Sequence, residues 1–474
     1  MTPRTGLLAT ALLALSLLAL PRAAAQSTSP DWSRIEAETM EHFQAILRLD
    51  TSNPPGNEGL VVDYLEAVLK KNGIETKRFA NDPARPNLVA RLRGTGKKRP
   101  LLVMGHTDVV KVDPGKWTHP PFSATRDGGY VYGRGTVDDK DNAVAGLMVM
   151  LQLKRLNVPL DRDVILLAEA GEEASTQFGI KFMVENHWPE IDAEYCFAEG
   201  GGVTRTGGQI RFATVQSSEK IPYGVTLTAR GPSGHGSTPL RTNAVAHLAK
   251  AVARIAEWQP PMRLNDTTRA YFERLAAISS PADAARYRAV LTPQSAEAQE
   301  HFAVNEPRTN SMLRTSVSPN ILAGGYQVNI IPSEATATLD VRALPDENIE
   351  QFIEEIRKIV ADPAVDVARN DRNTRPGAPP SRIDSEAFFA VEQAVKARYG
   401  ANVATLPAMS PGATDMAYLR AKGMQCYGVG PLTDSEDGPK GFGAHSDQER
   451  ILESSLHTFV KFNWDIVVKV AGAR

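Results

Sequence analysis

Through its first half the chain alternates short apolar runs with longer segments whose apolar residues recur at helical spacing. The clearest run is LLVMGHTDVV at residues 101–110, in which an apolar stretch closes on Gly105 and is followed by His106 and Asp108. An apolar run ended by glycine predicts a buried strand of an α/β sheet. Residues 87–92, 164–168 and 195–198 read the same way. Residues 32–49, 60–71, 143–156 and 180–186 read as helices, the first stopped by the turn residues DTSNPPG at 50–56. Strands alternating with helices predict an α/β unit whose sheet is mostly parallel, with helices on both faces.

The rhythm changes near Lys220. Residues 224–229 alternate as a half-exposed strand, the loop GPSGHG at 231–236 follows, and residues 243–258 read as a helix. A helical stretch over about 264–302 precedes two expected strands at 325–330 and 335–341 and a helix at 348–360. This is the pattern of a small α+β unit. The first pattern returns near Ser381, with helices at 385–399 and 414–421, a strand at 425–429 and a last helix at 449–470. The smaller unit therefore reads as an insert, residues 222–376, between two parts of the larger one, 26–221 and 377–474.

A chain of 474 residues is long for one core, which agrees with two domains. The net charge is −2 and the basic residues are dispersed, with no zinc-finger or RNA-binding signature, so no nucleic-acid partner is expected. Residues 1–25 carry Arg4, an apolar Leu/Ala stretch and a small-residue site at Ala23-Ala24-Ala25. This order predicts a secretory signal peptide cleaved after Ala25, and hence a periplasmic or secreted protein. The apolar stretch is short of the roughly 20 residues a spanning helix needs, and no later segment is apolar enough, so no membrane partner is expected. Loss of Arg4 and Arg22 takes the formal charge from −2 to −4. The two cysteines, Cys196 and Cys426, lie in strand-like contexts, and either a disulfide or two buried thiols is compatible with them.

Candidate chemistry collects after the apolar runs, where open α/β sheets carry their sites. His106 and Asp108 follow one run; Asp138 and Asp139 follow GRGTV; Glu172 and Glu173 follow the strand at 164–168; Glu199 follows the strand at 195–198; His445 lies in GAHSD. Two histidines and several carboxylates suit zinc, with one carboxylate bridging two ions. Each piece alone has a plain alternative: a helix cap for Asp138-Asp139, a solvated acidic pair for Glu172-Glu173, a turn at Glu199, an exposed loop histidine at 445. Their joint occurrence in this order is what points to a metal centre.

The ordered motifs TSNPPGNE (51–58), GHTDVV, GRGTVDDK, EAGEE, AEGGG, GPSGHGSTP, NIIPSEATATLDVRALP (329–345), PGATD (411–415) and GAHSDQE (443–449) resemble a known family. It comprises the zinc-dependent metallopeptidases and deacylases that include aminoacylase, carnosinase, acetylornithine deacetylase and Gly-Xaa carboxypeptidase. The long insert and the NIIP…DVRALP run look most like the Gly-Xaa carboxypeptidase branch. One position departs: Asp141 replaces the usual glycine after the DDK lysine and is expected in the helix cap, clear of the metals.

The resemblance implies two zinc ions, with cobalt or manganese as possible substitutes. His106 and Glu199 would hold one and Glu173 and His445 the other, with Asp138 bridging and a cis bond between Asp138 and Asp139. It also implies Glu172 as general base, Asp108 tuning His106, and His235 stabilising the oxyanion, in many members across a homodimer interface. Asn329 and Arg342 would bind the substrate carboxylate or polar backbone, and the insert would be a lid and dimerisation domain. These roles fit acid–base and electrostatic chemistry, and a guanidinium offers a planar fork to a carboxylate. The function implied is cleavage of an amide next to a free carboxylate in a small peptide or N-acyl amino acid. The alternatives are an N-acyl-amino-acid deacylase or a non-catalytic binding protein keeping the fold. Neither a G-x-S-x-G elbow nor an H-E-x-x-H helix is present.

Overall fold

The computed structural model describes residue 1 and residues 30–291, 295–370 and 375–473. Apart from Met1, the expected leader lies outside the described residues. The apolar run at 101–106 forms the strand Leu101–His106, buried at every position, near the middle of a ten-stranded sheet. Its parallel neighbours are Val164–Glu169 on one side and Tyr195–Ala198 on the other, and Gln425–Gly428 continues the parallel run. Side chains alternate between the faces. Val103 and Leu166 join one core with Phe43, Leu147 and Phe459. Leu102, Met104, Ile165 and Leu167 join another with Ile180, Met183 and Leu419. Helices therefore cover both faces, and the α/β architecture is as expected.

The sheet is mixed rather than mostly parallel. Glu75–Phe79 and Asn87–Leu92 pair antiparallel at one edge. Toward the other, Gly202–Thr206 and Gln209–Glu219 form a hairpin around Gly207 and Gly208. Both glycines have positive φ, +55° and +79°, the geometry a two-residue hairpin turn demands and that costs glycine little. Such local hairpins impose antiparallel pairing on an otherwise wound sheet. Helix Lys140–Arg155 is buried on nearly all sides and lies against Leu101–His106. Gly105 permits that approach: a Cβ there would stand 2.9 Å from the main-chain nitrogen of Ala143.

A second sheet, fully antiparallel, runs Ser316–Gly324, Glu334–Ala343, Ile221–Arg230, Val365–Asn370. Helices Ala244–Glu257 and Ile349–Val360 share its core, built from Val225, Leu227, Leu339, Val341, Ile353 and Ile356. The strand expected at 325–330 is not there. Its neighbour Ser316–Gly324 is the edge strand, Gly325 turns the chain at φ +76°, and only Ile330–Ile331 pairs, with Gly234–His235. The sequence carried no strand expectation for residues 316–324; their Pro319 is accommodated because an outer strand need not donate on its free side. The helical stretch resolves into Asp266–Ala277, Pro281–Ala289, Ala296–Asn305 and Pro307–Met312 around Phe272, Val290, Phe302 and Leu313. It packs on strand Ala404–Ser410 of the large sheet, where Arg274 Nη1 donates to the Thr405 carbonyl at 2.8 Å. The last helix starts at Glu453, because Arg450–Leu452 pairs as a strand with Tyr130–Tyr132. Cys196 and Cys426 are register partners on adjacent strands, both buried and both free thiols. Among the described residues no helix is long and apolar enough to cross a membrane.

Candidate metal centre

His106 ends its strand beside Glu169. Its main-chain N–H donates to Asp139 Oδ2 at 3.1 Å, and its Nδ1 lies 3.0 Å from the Asp108 carbonyl oxygen. A carbonyl can only accept, so Nδ1 carries the proton and the lone pair of Nε2 points the other way. There it meets Asp138 Oδ1 at 3.1 Å. The second oxygen of Asp138 lies 3.1 Å from His445 Nε2, and that nitrogen also stands 3.1 Å from Glu173. One carboxylate thus faces a different imidazole with each oxygen. Lone pairs opposed at this distance need a proton or a cation between them.

Two ligand triads meet here. His106, Asp138 and Glu173 bring one donor atom each within 4.8 Å of one another, and so do His106, Glu172 and Glu199. Burial opposes charge on His106, yet hydrogen bonds to Asp108 and Asp138 hold its imidazole well above the usual range. Asp138 and Glu173 push His445 up to about 10. The histidines hold Asp138 low against burial. Burial pushes Glu199 well up, with Glu172 adding repulsion. The centre holds more carboxylate than it has cations to balance, and its donor set of imidazole and carboxylate suits zinc, cobalt or manganese. The residues fit two metal ions: His106, Asp138, Glu173, Glu199 and His445 would hold them.

Local structure explains the placement. The Asp138–Asp139 bond is cis, as the resemblance implied. Asp139 stands at the N-terminus of Lys140–Arg155 but does not cap it; its carboxylate takes the His106 N–H and the Asn142 amide instead. Asp108 does more than orient His106. Its two oxygens accept the N–H groups of Glu172 and Glu173, each at 3.1 Å, and the Asn53 amide at 2.7 Å. It therefore fixes the acidic loop as well as the histidine. His445 is held at φ +60°, an uncommon conformation for a residue with a Cβ. Asp141 is buried in the first helical turn and belongs to neither triad.

Three further residues matter here that sequence reasoning missed. Asn53 lies inside TSNPPGNE, a motif available as a signal. Glu449 closes GAHSDQE, and its buried carboxylate pairs with Arg134 at 2.7 Å and accepts the N–H groups of Gly135 and Val137, tying the His445 segment to the Asp138 loop. Arg375 carried no signal. Its Nη2 donates to Glu172 Oε1 at 2.6 Å and to Asp415 Oδ1 at 3.1 Å. Burial pushes the Glu172 carboxyl up to about 8, against the pull of Arg375.

His235, Asn329 and Arg342 are not brought to this cluster. His235 is exposed, and its Nδ1 accepts the Ser237 N–H at 3.1 Å, which leaves the proton of a neutral ring on Nε2. Asn329 is exposed beside it, its carbonyl accepting the Gly236 N–H. Arg342 forks onto Asp340 at 2.8 and 3.2 Å and lines a cleft of about 380 Å³ with Tyr223, Asn320 and Arg375.

Residues 102–468 match the model of peptidase family M20/M25/M40. The chain is 26% identical to aminoacylase-1 of Mus musculus over 395 residues, 82% of this chain and 86% of that protein. It is 26% identical to the human N-fatty-acyl-amino acid synthase/hydrolase PM20D1 over 377 residues, 78% of this chain and 74% of that one. Its fold is similar to that of an M20 family metallo-carboxypeptidase, Sso-CP2 of Sulfolobus solfataricus, with a TM-score of 0.69 at 21% identity, covering 91% of this chain and 98% of that one.

Proposed function

This chain belongs to the M20/M25/M40 peptidase family and is a metal-dependent amidohydrolase, and from that premise we propose an exported di-zinc enzyme that cleaves an amide bond next to a free carboxylate, of carboxypeptidase or dipeptidase type. The observation that carries this reading is the Asp138 carboxylate, one oxygen on His106 and the other on His445. Zinc held there would polarise the scissile carbonyl and ease deprotonation of water. Glu172 takes the proton from the attacking water and returns it to the leaving nitrogen. Asp108 keeps Glu172 and His106 in register through the contacts described above.

The oxyanion and the substrate carboxylate fall to residues 222–376, which we assign as a lid and dimerisation domain. Arg342 and Asn329 would hold the carboxylate, and the Nε2–H of His235 is a donor suited to an oxyanion. His235 has no contact with the cluster of its own chain, so the reading places it in the site of a second copy. Support comes from the edge strand Ser316–Gly324, whose Ile321 and Leu322 are exposed beside Val245 of the adjoining helix. An apolar, unpaired edge is where two copies of a sheet join.

A second reading, hydrolysis of N-acyl amino acids, is favoured by the aminoacylase-1 and PM20D1 likeness over more than three quarters of the chain. The purified protein is stripped with chelator, reloaded with zinc, cobalt or manganese, and assayed on dipeptides and N-acyl amino acids. Loss on chelation, recovery with zinc and turnover of dipeptides are the expected results. Preference for acyl substrates selects the second reading, and no turnover of either class by metal-loaded protein defeats both. Mass analysis of protein from outside the cytoplasm should find Gln26 as the first residue; intact Met1 there overturns cleavage after Ala25.

A further inference from the structure

We infer that Arg375 is a positioning residue for the general base: it holds the Glu172 carboxylate in its working orientation and anchors it to Asp415. The inference rests on the reading of Glu172 as base. Asp108 fixes the main chain at Glu172 and Glu173 but leaves the Glu172 side chain to be oriented by something else. Arg375 supplies that contact, since its Nη2 donates to Glu172 Oε1 at 2.6 Å and also reaches the Glu172 carbonyl at 3.4 Å. The same nitrogen meets Asp415 Oδ1 at 3.1 Å, and Nε approaches that oxygen at 3.4 Å. Asp415 is fully buried at the start of helix Met416–Ala421, so it cannot follow the guanidinium outward. Nε and Nη2 thus pin the guanidinium on a rigid carboxylate, and Nη2 shares its hydrogens between that carboxylate and the base.

Charge makes the contact more than a tether. Glu169, Glu172 and Asp415 are buried acids close enough to repel one another. With Arg375 removed, the Glu172 carboxylate has every reason to turn away from Asp415. A planar guanidinium that reaches two carboxylates at once does this better than a lysine, whose ammonium is a point charge on a flexible stem. Its origin in the chain adds a consequence. Arg375 lies on the connection that leaves strand Val365–Asn370 of the second sheet and returns to the large one at Ser381, whose N–H donates to the Ser217 carbonyl. The orientation of the base is therefore tied to the segment joining the two sheets.

The test uses metal-loaded full-length protein carrying Arg375→Ala or Arg375→Lys, on a substrate the unmodified enzyme turns over. A displaced base should lower kcat roughly 10–10²-fold in Arg375→Ala, with KM nearly unchanged because the loss belongs to the transition state. Metal content should be unaltered, guanidinium salts should restore part of the rate where sodium chloride at equal ionic strength does not, and Arg375→Lys should retain an intermediate rate. A raised KM with unchanged kcat identifies Arg375 as a substrate anchor and overturns the inference; so does loss of metal, or full activity in Arg375→Ala. Hydrogen exchange over residues 169–179 reads the contact with no substrate present. Faster exchange in Arg375→Ala than in the unmodified protein is expected. Unchanged exchange overturns the inference even if no substrate is found, whereas faster exchange in a protein that hydrolyses nothing leaves the contact standing and sinks the reading of Glu172 as base.

Discussion

At the scale of single residues, the proposed function gives adjacent Glu172 and Glu173 different work, and substitution separates them. Glu172→Ala leaves His106, Asp138, Glu173, Glu199 and His445 in place, so close to two metal ions per chain should remain while kcat falls by roughly 10²–10⁴-fold. Glu173→Ala should lose metal from one site, since Glu173 faces His445 at 3.1 Å. Metal analysis and steady-state kinetics on both variants decide it, and the reverse pattern means the pair is assigned backwards. Asp108→Ala tests the support beneath them. It removes the acceptor for three N–H donors and should weaken metal affinity by roughly 10–100-fold, measured by competition with a chelator; unchanged affinity would show the acidic loop holds itself. His106, Glu172, Glu173 and Glu199 were legible because they end or follow the apolar strands Leu101–His106, Val164–Glu169 and Tyr195–Ala198 of one sheet, whereas Asp138 and His445 lie in loops and were legible only from their motifs. Arg375 was not, because it acts on Glu172 across 203 residues of sequence and sits in no periodic segment. Glu449 closes a motif, yet nothing local reveals that it would accept N–H groups from a loop more than three hundred residues earlier.

At the scale of elements, the strands of the sheet centre could be read because burial on both faces leaves them almost wholly apolar. Asn87–Leu92 and Tyr195–Ala198 have the bounds their apolar runs predict. Strands with an exposed side were harder. Gln209–Glu219 is largely polar, and its Gly207-Gly208 turn was the one local signal of the hairpin. The junction between the two sheets was equally hidden. Lys220 is buried there, its Nζ donating to the Ser311 carbonyl at 2.9 Å and to the Ser316 hydroxyl at 2.8 Å. It ties the end of the helical insert to the start of the edge strand. Burial, with Arg342 adding repulsion, brings its ammonium down to about 7. An unfolded lysine titrates near 10.4 (~3 units higher). Between these values the unfolded chain binds the proton that the folded one has shed, so stability rises with pH through the window. The cost of the buried charge is present in full below about pH 7 and gone above about pH 10. Unfolding midpoints of the unmodified protein should therefore gain on those of Lys220→Met as pH rises from about 7 to 10. A gap that does not change with pH would mean Lys220 stays charged in the fold.

At the scale of the whole molecule, one chain brings together the proposed metal ligands and the proposed base but no contact from His235. Two arrangements predict different outcomes: His235 serves a second copy, or it serves its own chain after a movement of the lid. Mixing two inactive variants separates them, because the predictions differ in kind and not in degree. In a mixed dimer of Glu172→Ala with His235→Ala, the chain that keeps Glu172 draws an intact His235 from its partner if the histidine acts in trans. That dimer then has one complete site, and the other site lacks both groups. Random reassortment makes about half the dimers mixed, each with one working site of two, so roughly a quarter of the unmodified activity should return. If His235 acts within its own chain, every site in every dimer lacks one group and nothing returns. Leu322→Asp, placed on the exposed edge strand, is the control for assembly. It should shift the mass in light scattering toward that of one chain and abolish the recovery, because a charge on that edge blocks pairing between sheets. Recovery that survives in a strictly monomeric protein would rule out the shared site, and absence of recovery in a stable dimer would return His235 to its own chain.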